Sequence, residues 1–261
     1  MFRSTLLLCL AALSAPVVTP GRTPDSLATA KKTVAILYFD NHTGSTDNDP
    51  LGKGIASMMI SDLSVVQEIQ LVEREKMQDL LKEIDMQHTK YFDSTTAVKT
   101  GKMMGAEYVV VGAFASVDPK MRIDTRVVRV ETGEIVKTAQ VTGDQDKFFD
   151  LQQELSNKLI DGLGLALSPE EQQRLAAQQK QNRVDALNTV RAYSRAISLY
   201  DKKDYEGAVS AMGPALQGSP NSMVLRVAFS EMKRKATQSA TDKAKDQLKK
   251  GITGLIKRPP F

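Results

Sequence analysis

The residues that could do chemistry are few and scattered. The two histidines, His42 and His88, lie in polar segments far apart. A zinc centre takes three or four ligands, so both read as surface histidines. Asp47-Asn48-Asp49 invites a calcium site. A calcium loop, however, needs alternating oxygen ligands, a central Gly and a closing Glu at its twelfth position, and that spacing is missing. The run reads instead as a turn, with Asp49 capping a helix that Pro50 opens. Gly52-Lys53-Gly54 lacks the residue gap and the Ser or Thr of a phosphate-binding loop; it reads as small residues easing a helix start against a strand. Ser57, Ser61 and Ser64 lie on or near one helix without a nucleophile-elbow sequence, and read as helix-surface serines. Glu73, Glu75, Glu83 and Asp85 could supply a carboxylate pair for acid–base work. They alternate with Arg74, Lys76 and Lys82, the pattern of a solvated helix face. No catalytic, cofactor-binding or metal-ligating residue is assigned, and neither a cofactor nor an enzymatic activity is expected.

With 261 residues, 41% of them hydrophobic, the chain can bury a sizeable core in one or two domains. It has no Trp and only 5% aromatic residues, against an aromatic-lined ligand or nucleic-acid surface. The net charge of +4 is unevenly spread: residues 231–261 hold nine Lys and Arg against three acids, leaving −2 for the rest. The basic character belongs to the C-terminal tail.

Arg3, the apolar run Leu6 to Leu13 and the small residues of Ala12-Leu13-Ser14 read as an export signal over residues 1–14. Pro16, Pro20, Gly21 and Pro24 stop any helix there. Lipid attachment needs a Cys just after the apolar core; Cys9 sits inside it, so no lipoprotein is expected. The mature chain then holds no cysteine and no disulfide. No other stretch approaches the ~20 apolar residues of a spanning helix.

The elements that would position any site centre on Val109 to Thr142. Val109-Val110-Val111 fits a strand buried on both faces. Met121 to Glu131 and Glu134 to Thr142 read as a hairpin turning at Thr132-Gly133. Upstream, residues 15–32 read as a linker. Thr33 to Phe39 is a strand, and a helix follows with Leu51, Ile55, Met58, Met59 and Leu63 on one face. Ile69 to Val72 is a second strand and Glu73 to Ile84 a helix. Asp93 caps a further helix, which Gly105 ends. After the hairpin, Asp146 to Leu165 carries the stripe Phe148, Leu151, Leu155, Leu159 and Leu163. The order β-α-β-α-α-β-β-β-α gives an α/β fold, a mixed sheet packed with helices over residues 33–167. Ser168 and Glu171 form a capping box opening a Gln-rich helix, expected as a solvent-exposed connector over 168–185.

The segments VAILYFDNHTG, LVEREKMQDLLKEI, AVKTGKMMGAEYVVVGAF and VVRVETGEI resemble the curli-secretion channel family (CsgG-type). They also resemble the amino-terminal domain of the Tol–Pal propeller protein (TolB-type), and the resemblance covers residues 33–165. It implies a non-enzymatic domain acting by protein contacts in the bacterial envelope. The channel's barrel strands are not carried over. Ser116-Val117-Asp118-Pro119-Lys120 is a short turn and Thr132-Gly133 a short tip, whereas a membrane strand needs ~9–11 residues.

Residues 186–232 resemble one tetratricopeptide repeat. Ala196, Leu199, Tyr205, Ala208, Met212, Ala215 and Pro220 stand at its small, apolar and Pro positions, with Asp204-Tyr205-Glu206 at its turn. Ala192 and Arg195 replace its expected aromatic and Leu residues. A lone repeat needs support from a neighbour. Residues 233–261 read as a basic amphipathic tail, with Leu248, Ile252, Leu255 and Ile256 among lysines. It would be a solvated helix or a contact to membrane or partner.

The expected protein is a periplasmic scaffold or assembly factor, at or near the outer membrane, that binds envelope proteins and no nucleic acid. The alternative is a soluble ring subunit of an outer-membrane export assembly. Homo-oligomerisation follows from family analogy alone.

Overall fold

β1 (Lys32–Ile36) runs down the middle of the sheet because both its neighbours are strands parallel to it, β3 (Ile69–Leu71) and β4 (Tyr108–Val117). A strand so placed has no solvent face, and Val34 to Phe39 are all buried. The hydrogen-bonded path is β3-β1-β4-β5-β6, with β5 (Lys120–Arg129) and β6 (Ile135–Asp144) completing an antiparallel meander. The two-residue β2 (Asp40–Asn41) adds to β4. This computed structural model describes residues 31–83 and 93–256; the expected export signal, all but the last two residues of the expected linker, Ile84, Asp85 and His88 lie outside them, as do the side chains of Glu75, Lys82, Glu83, Val117 and residues 251–256.

The meander follows its sequence closely. Val109, Val110 and Val111 are each 0% exposed, each worth about 1.5–3 kcal/mol of apolar burial. β5 alternates buried Met121, Ile123, Thr125 and Val127 with exposed or half-buried Lys120, Arg122, Asp124 and Arg126, as a strand covered on one face must. Gly133 takes a φ of +75° in the hairpin between β5 and β6, a value open to Gly at little cost. The β4–β5 turn is Asp118–Pro119 alone.

The helices form two layers. α3 (Ser94–Met104) begins at Asp93, whose carboxylate accepts the Thr96 N–H at 2.9 Å, and ends at Gly105. Its Gly101 lies against Val109, while Gly162 of α4 (Phe148–Gly162) lies against Val127. Val109 pairs with Val128 and Val110 with Val127. Directly paired residues share a face and successive ones alternate, so α3 and α4 cover opposite faces. α2 (Arg74–Glu83) packs by Met77 and Leu81. α1 (Leu51–Leu63) is buried along most of its length, since the helical layer covers what the sheet does not.

That layer comprises α5 (Pro169–Gln181), α6 (Leu187–Asp201), α7 (Tyr205–Gly218) and α8 (Met223–Ile256). Gly218 at the end of α7 abuts Thr189 at the start of α6, so the two run antiparallel. Asp204 caps α7 through the Gly207 N–H at 2.9 Å. The described residues belong to a single compact unit.

Four expectations are corrected. Asp49 does not cap α1: its carboxylate accepts from Asn41 Nδ2 at 2.6 Å, and the cap position is Pro50. The helix after the meander starts at Phe148, behind a tight turn at Gln145–Lys147. α5 is no solvated connector: the capping box of Ser168 and Glu171 is present, but Leu175 and Gln179 are buried. The tail is no separate element either. α8 runs unbroken for 34 residues, and of its residues 233–250 none is buried. Their seven basic residues surround the helix, and Leu248 is the only large apolar one; Ile252, Leu255 and Ile256, the rest of the expected apolar stripe, have side chains outside the described residues.

Candidate functional site

The place where the sheet layer meets the helical layer carries the charged and hydroxyl groups of interest. Asp201 ends α6 on the same stripe as Val190, Tyr193 and Ile197, and it is buried. Its Oδ2 accepts Lys53 Nζ at 2.7 Å and the Tyr38 hydroxyl at 3.4 Å; its Oδ1 accepts Arg74 Nη1. The Tyr38 hydroxyl also donates to Gln78 Oε1 at 2.8 Å. Burial works against the Arg74 charge, but attraction to Asp201, helped by Tyr38 and the hydrogen bond, outweighs it and raises its pKa. The guanidinium also lies over the Tyr200 ring, 5.3 Å from its centroid. Arg74, expected on a solvated face, is thus locked between layers.

A second knot sits about two and a half turns further along α1, at Asp62. Asp62, 1% exposed, accepts Gln152 Nε2 at 2.7 Å and Asn182 Nδ2 at 2.8 Å, with Ser156 Oγ at 3.5 Å. Burial pushes its carboxyl up, and the hydrogen bonds from Asn182, Gln152 and Ser156 only partly oppose it. α1, α4 and the end of α5 are tied together at this one carboxylate.

Between the knots the layers touch through small residues. A Cβ on Gly54 would come 1.9 Å from Ser194 Oγ, and one on Gly52 the same 1.9 Å from the Phe39 carbonyl oxygen. The Gly-Lys-Gly run is therefore a contact device: one glycine admits the strand end, the other admits α6, and the lysine between them reaches Asp201.

Ser57 and Ser61 of α1 face this seam, and the exposed Ser64 follows at the helix end. Ser57 Oγ and the buried Tyr193 hydroxyl lie 2.8 Å apart. Ser61 Oγ accepts from Asn182 at 3.0 Å, and Ser64 bonds back to the Ser61 carbonyl at 2.8 Å. Burial pushes the Tyr193 phenol up, so this hydroxyl keeps its proton near neutrality. His42 is exposed, and its backbone N–H pairs with the Phe114 carbonyl at 2.8 Å. Asn48 accepts from Arg191 Nε at 3.2 Å, and Glu73 is exposed. Among the described residues no cluster of three or more His, Cys, Asp or Glu could hold a metal.

Over the seam opens a groove of about 500 Å³, bounded by Ser57, Ile60, Arg74, Tyr193, Tyr200, Val227 and Glu231. Tyr200 donates to Glu231 at 3.3 Å, and Arg234 holds the Glu231 carboxyl below its usual range. Met223 and Val227 on its rim are 44% and 59% exposed. Polar groups at the floor are mutually fixed, whereas the rim is apolar and open. Such a surface can grip an apolar side chain and orient it by the Tyr200 and Ser57 hydroxyls.

Asp201 and Asp62 were the missed residues. Each is an acid on an otherwise apolar helical stripe, four residues after Ile197 and Met58 respectively. That interruption is the one local signal either leaves.

Residues 22–122 match the family model for the curli production assembly/transport component CsgG. This is a narrower stretch than the 33–165 over which the motifs were found. A curated relative, the putative adenylate cyclase 3 of Rhizobium meliloti (strain 1021), is 23% identical over 146 residues, 56% of this chain. The chain spans only 23% of that protein's length. The LpoB C-terminal domain from Salmonella enterica is 16% identical, with a TM-score of 0.38 over 46% of this chain and 87% of that one. The PelC dodecamer from Paraburkholderia phytofirmans is 17% identical, with a TM-score of 0.34 over 54% and 92%. TolB from Acinetobacter baumannii is 12% identical, with a TM-score of 0.36 over 52% and 30%. The part of the chain from β1 to the β4–β5 turn is therefore similar in sequence to the CsgG component.

Proposed function

We propose that this chain is a non-enzymatic periplasmic protein of the bacterial cell envelope, a scaffold or assembly factor that works at the outer membrane through protein contacts. The observation that carries the proposal is the apolar-rimmed groove built where α6 and α8 lie on a CsgG-like domain. Its fixed polar floor and open Met223–Val227 rim suit an apolar anchor on an amphipathic segment of an envelope partner. α6 and α7 serve as one tetratricopeptide-like repeat, supported by α1 in place of neighbouring repeats. No described helix is long and apolar enough to cross a membrane.

A photo-crosslinking residue at Val227, activated in living cells, tests this. Capture of an envelope protein, lost when Met223 is changed to Asp, is the expected outcome. An unprocessed chain recovered from the cytosol with cytosolic partners overturns it. The family description, an assembly/transport component, favours a second reading as a soluble subunit of an outer-membrane export assembly. Copurification with a membrane-embedded channel would select it.

A further inference from the structure

β6 ends the sheet. Among the described residues it pairs with β5 alone, and it is ten residues long with no proline. Its pairing with β5 shifts register at Val136, between the pairs Val128–Ile135 and Val127–Lys137, and runs regularly from there to Asp144; a long edge of this kind invites another strand. Three contacts fix which of its backbone groups point outward. The Gln145 N–H turns in to the Pro119 carbonyl, and the Thr125 hydroxyl meets the Ala139 carbonyl on the β5 side. Lys158 Nζ, reaching from α4, meets the Gln140 carbonyl at 2.7 Å. Backbone direction alternates along a strand, so odd positions from Ala139 onward serve β5. Thr138, Gln140 and Thr142 then present N–H and C=O to the outside, and all three are exposed.

The outward row is also self-complementary. Thr138-Ala139-Gln140-Val141-Thr142, turned end for end against itself, sets Gln140 opposite Gln140, Thr138 opposite Thr142 and Ala139 opposite Val141. In that register the residues brought face to face as hydrogen-bonded pairs are the ones whose groups point outward, giving about six backbone bonds. Thr–Thr pairs form on one face, and small apolar residues meet on the other, continuing the core-facing row. A one-residue slip would oppose groups of the wrong parity.

We infer that two copies of this chain pair antiparallel through β6 about a two-fold axis at Gln140, joining their sheets into one. The interface is isologous and closed. Lys158 swings off the Gln140 carbonyl as the strands meet and keeps Glu154, 2.7 Å away on its own helix. The pairing goes beyond the proposed contact function: the groove lies elsewhere, so either can fail without the other.

The test uses the full chain carrying Cys9→Ser. Sedimentation equilibrium should give a dimer. Gln140→Cys should form a 140–140 disulfide under mild oxidation, because paired residues of this type lie ~5.5 Å apart at Cα, within disulfide reach. Gln140→Lys places like charges directly opposite and should weaken the dimer roughly fivefold or more. Mixing it with Gln140→Glu protein should restore a dimer of mixed composition. A monomer at all concentrations overturns the inference. So does any assembly that lacks the 140–140 disulfide, ignores Gln140→Lys, or is not rescued by the mixture.

Discussion

Asp201 and Lys53 are 148 residues apart in the chain, and their side chains meet at 2.7 Å. The contact joins the last turn of α6 to the first turn of α1, and Arg74 from α2 completes it on the other carboxylate oxygen. Sheet layer and helical layer are therefore held by a charge cluster whose members make little sense alone. Removing Asp201 leaves two cations facing each other with their counter-charge gone. Asp201→Ala should cost about 3–5 kcal/mol, read from the urea midpoint at constant slope. Lys53→Ala should cost less, since Lys53 is 25% exposed and Arg74 keeps the carboxylate paired.

The Asp62 carboxyl has its pKa raised by burial. The folded state therefore holds the proton more tightly than the unfolded chain. Its contribution to stability is complete below the ordinary Asp value of about 4 and is lost as pH rises through the raised value. Asp62→Asn removes that dependence. Gln152 Oε1 and Asn182 Oδ1 lack hydrogen-bond partners among the described residues, so a flipped amide can accept from the new Asn. Urea midpoints measured from pH 4 to pH 8 should move steadily in the variant's favour relative to the unmodified protein.

Gly54 and Ser194 interlock across α1 and α6. A methyl group on Gly54 has no room, 1.9 Å from Ser194 Oγ, and overpacking of this kind costs ~1–3 kcal/mol. Gly54→Ala should destabilise by that amount, and Ser194→Gly combined with it should recover part of the loss. A double-mutant cycle on thermal midpoints checks the coupling.

α8 divides at Met232, the last described residue whose exposure is below a tenth. Removing residues 236–261 should leave the thermal midpoint within a few degrees, because exposed segments carry little of the core. Removing 183–261 should instead prevent folding, since Val190, Tyr193, Ala196 and Ile197 pack into the same core as α1. Circular dichroism melts of the two truncations distinguish the cases.

Much of the sheet layer was legible from sequence. Val109 to Val111 declares a fully covered strand, Thr132-Gly133 a hairpin, Asp93 and Ser168 their helix starts, and the Leu51 to Leu63 stripe its buried face. These features are local: periodicity, caps and turn residues act within a few positions. The family resemblance came through the same residues.

What only the tertiary structure decided is which groups far apart in the chain came together. Arg74 carries the charge pattern of a solvated helix, and nothing nearby announces that Asp201 will bury it. Ser57 and Ser61 look like surface residues until Tyr193 and Asn182 arrive. Asp49 sits where a cap belongs, yet Asn41 takes its carboxylate. The exposed end of α8 has the same reason in reverse, for none of the described residues folds back to cover it. Local sequence sets backbone shape and the direction of each side chain, but the energy of a buried charge or hydroxyl depends on its partner. For Arg74, Ser57 and Ser61 those partners lie more than a hundred residues away.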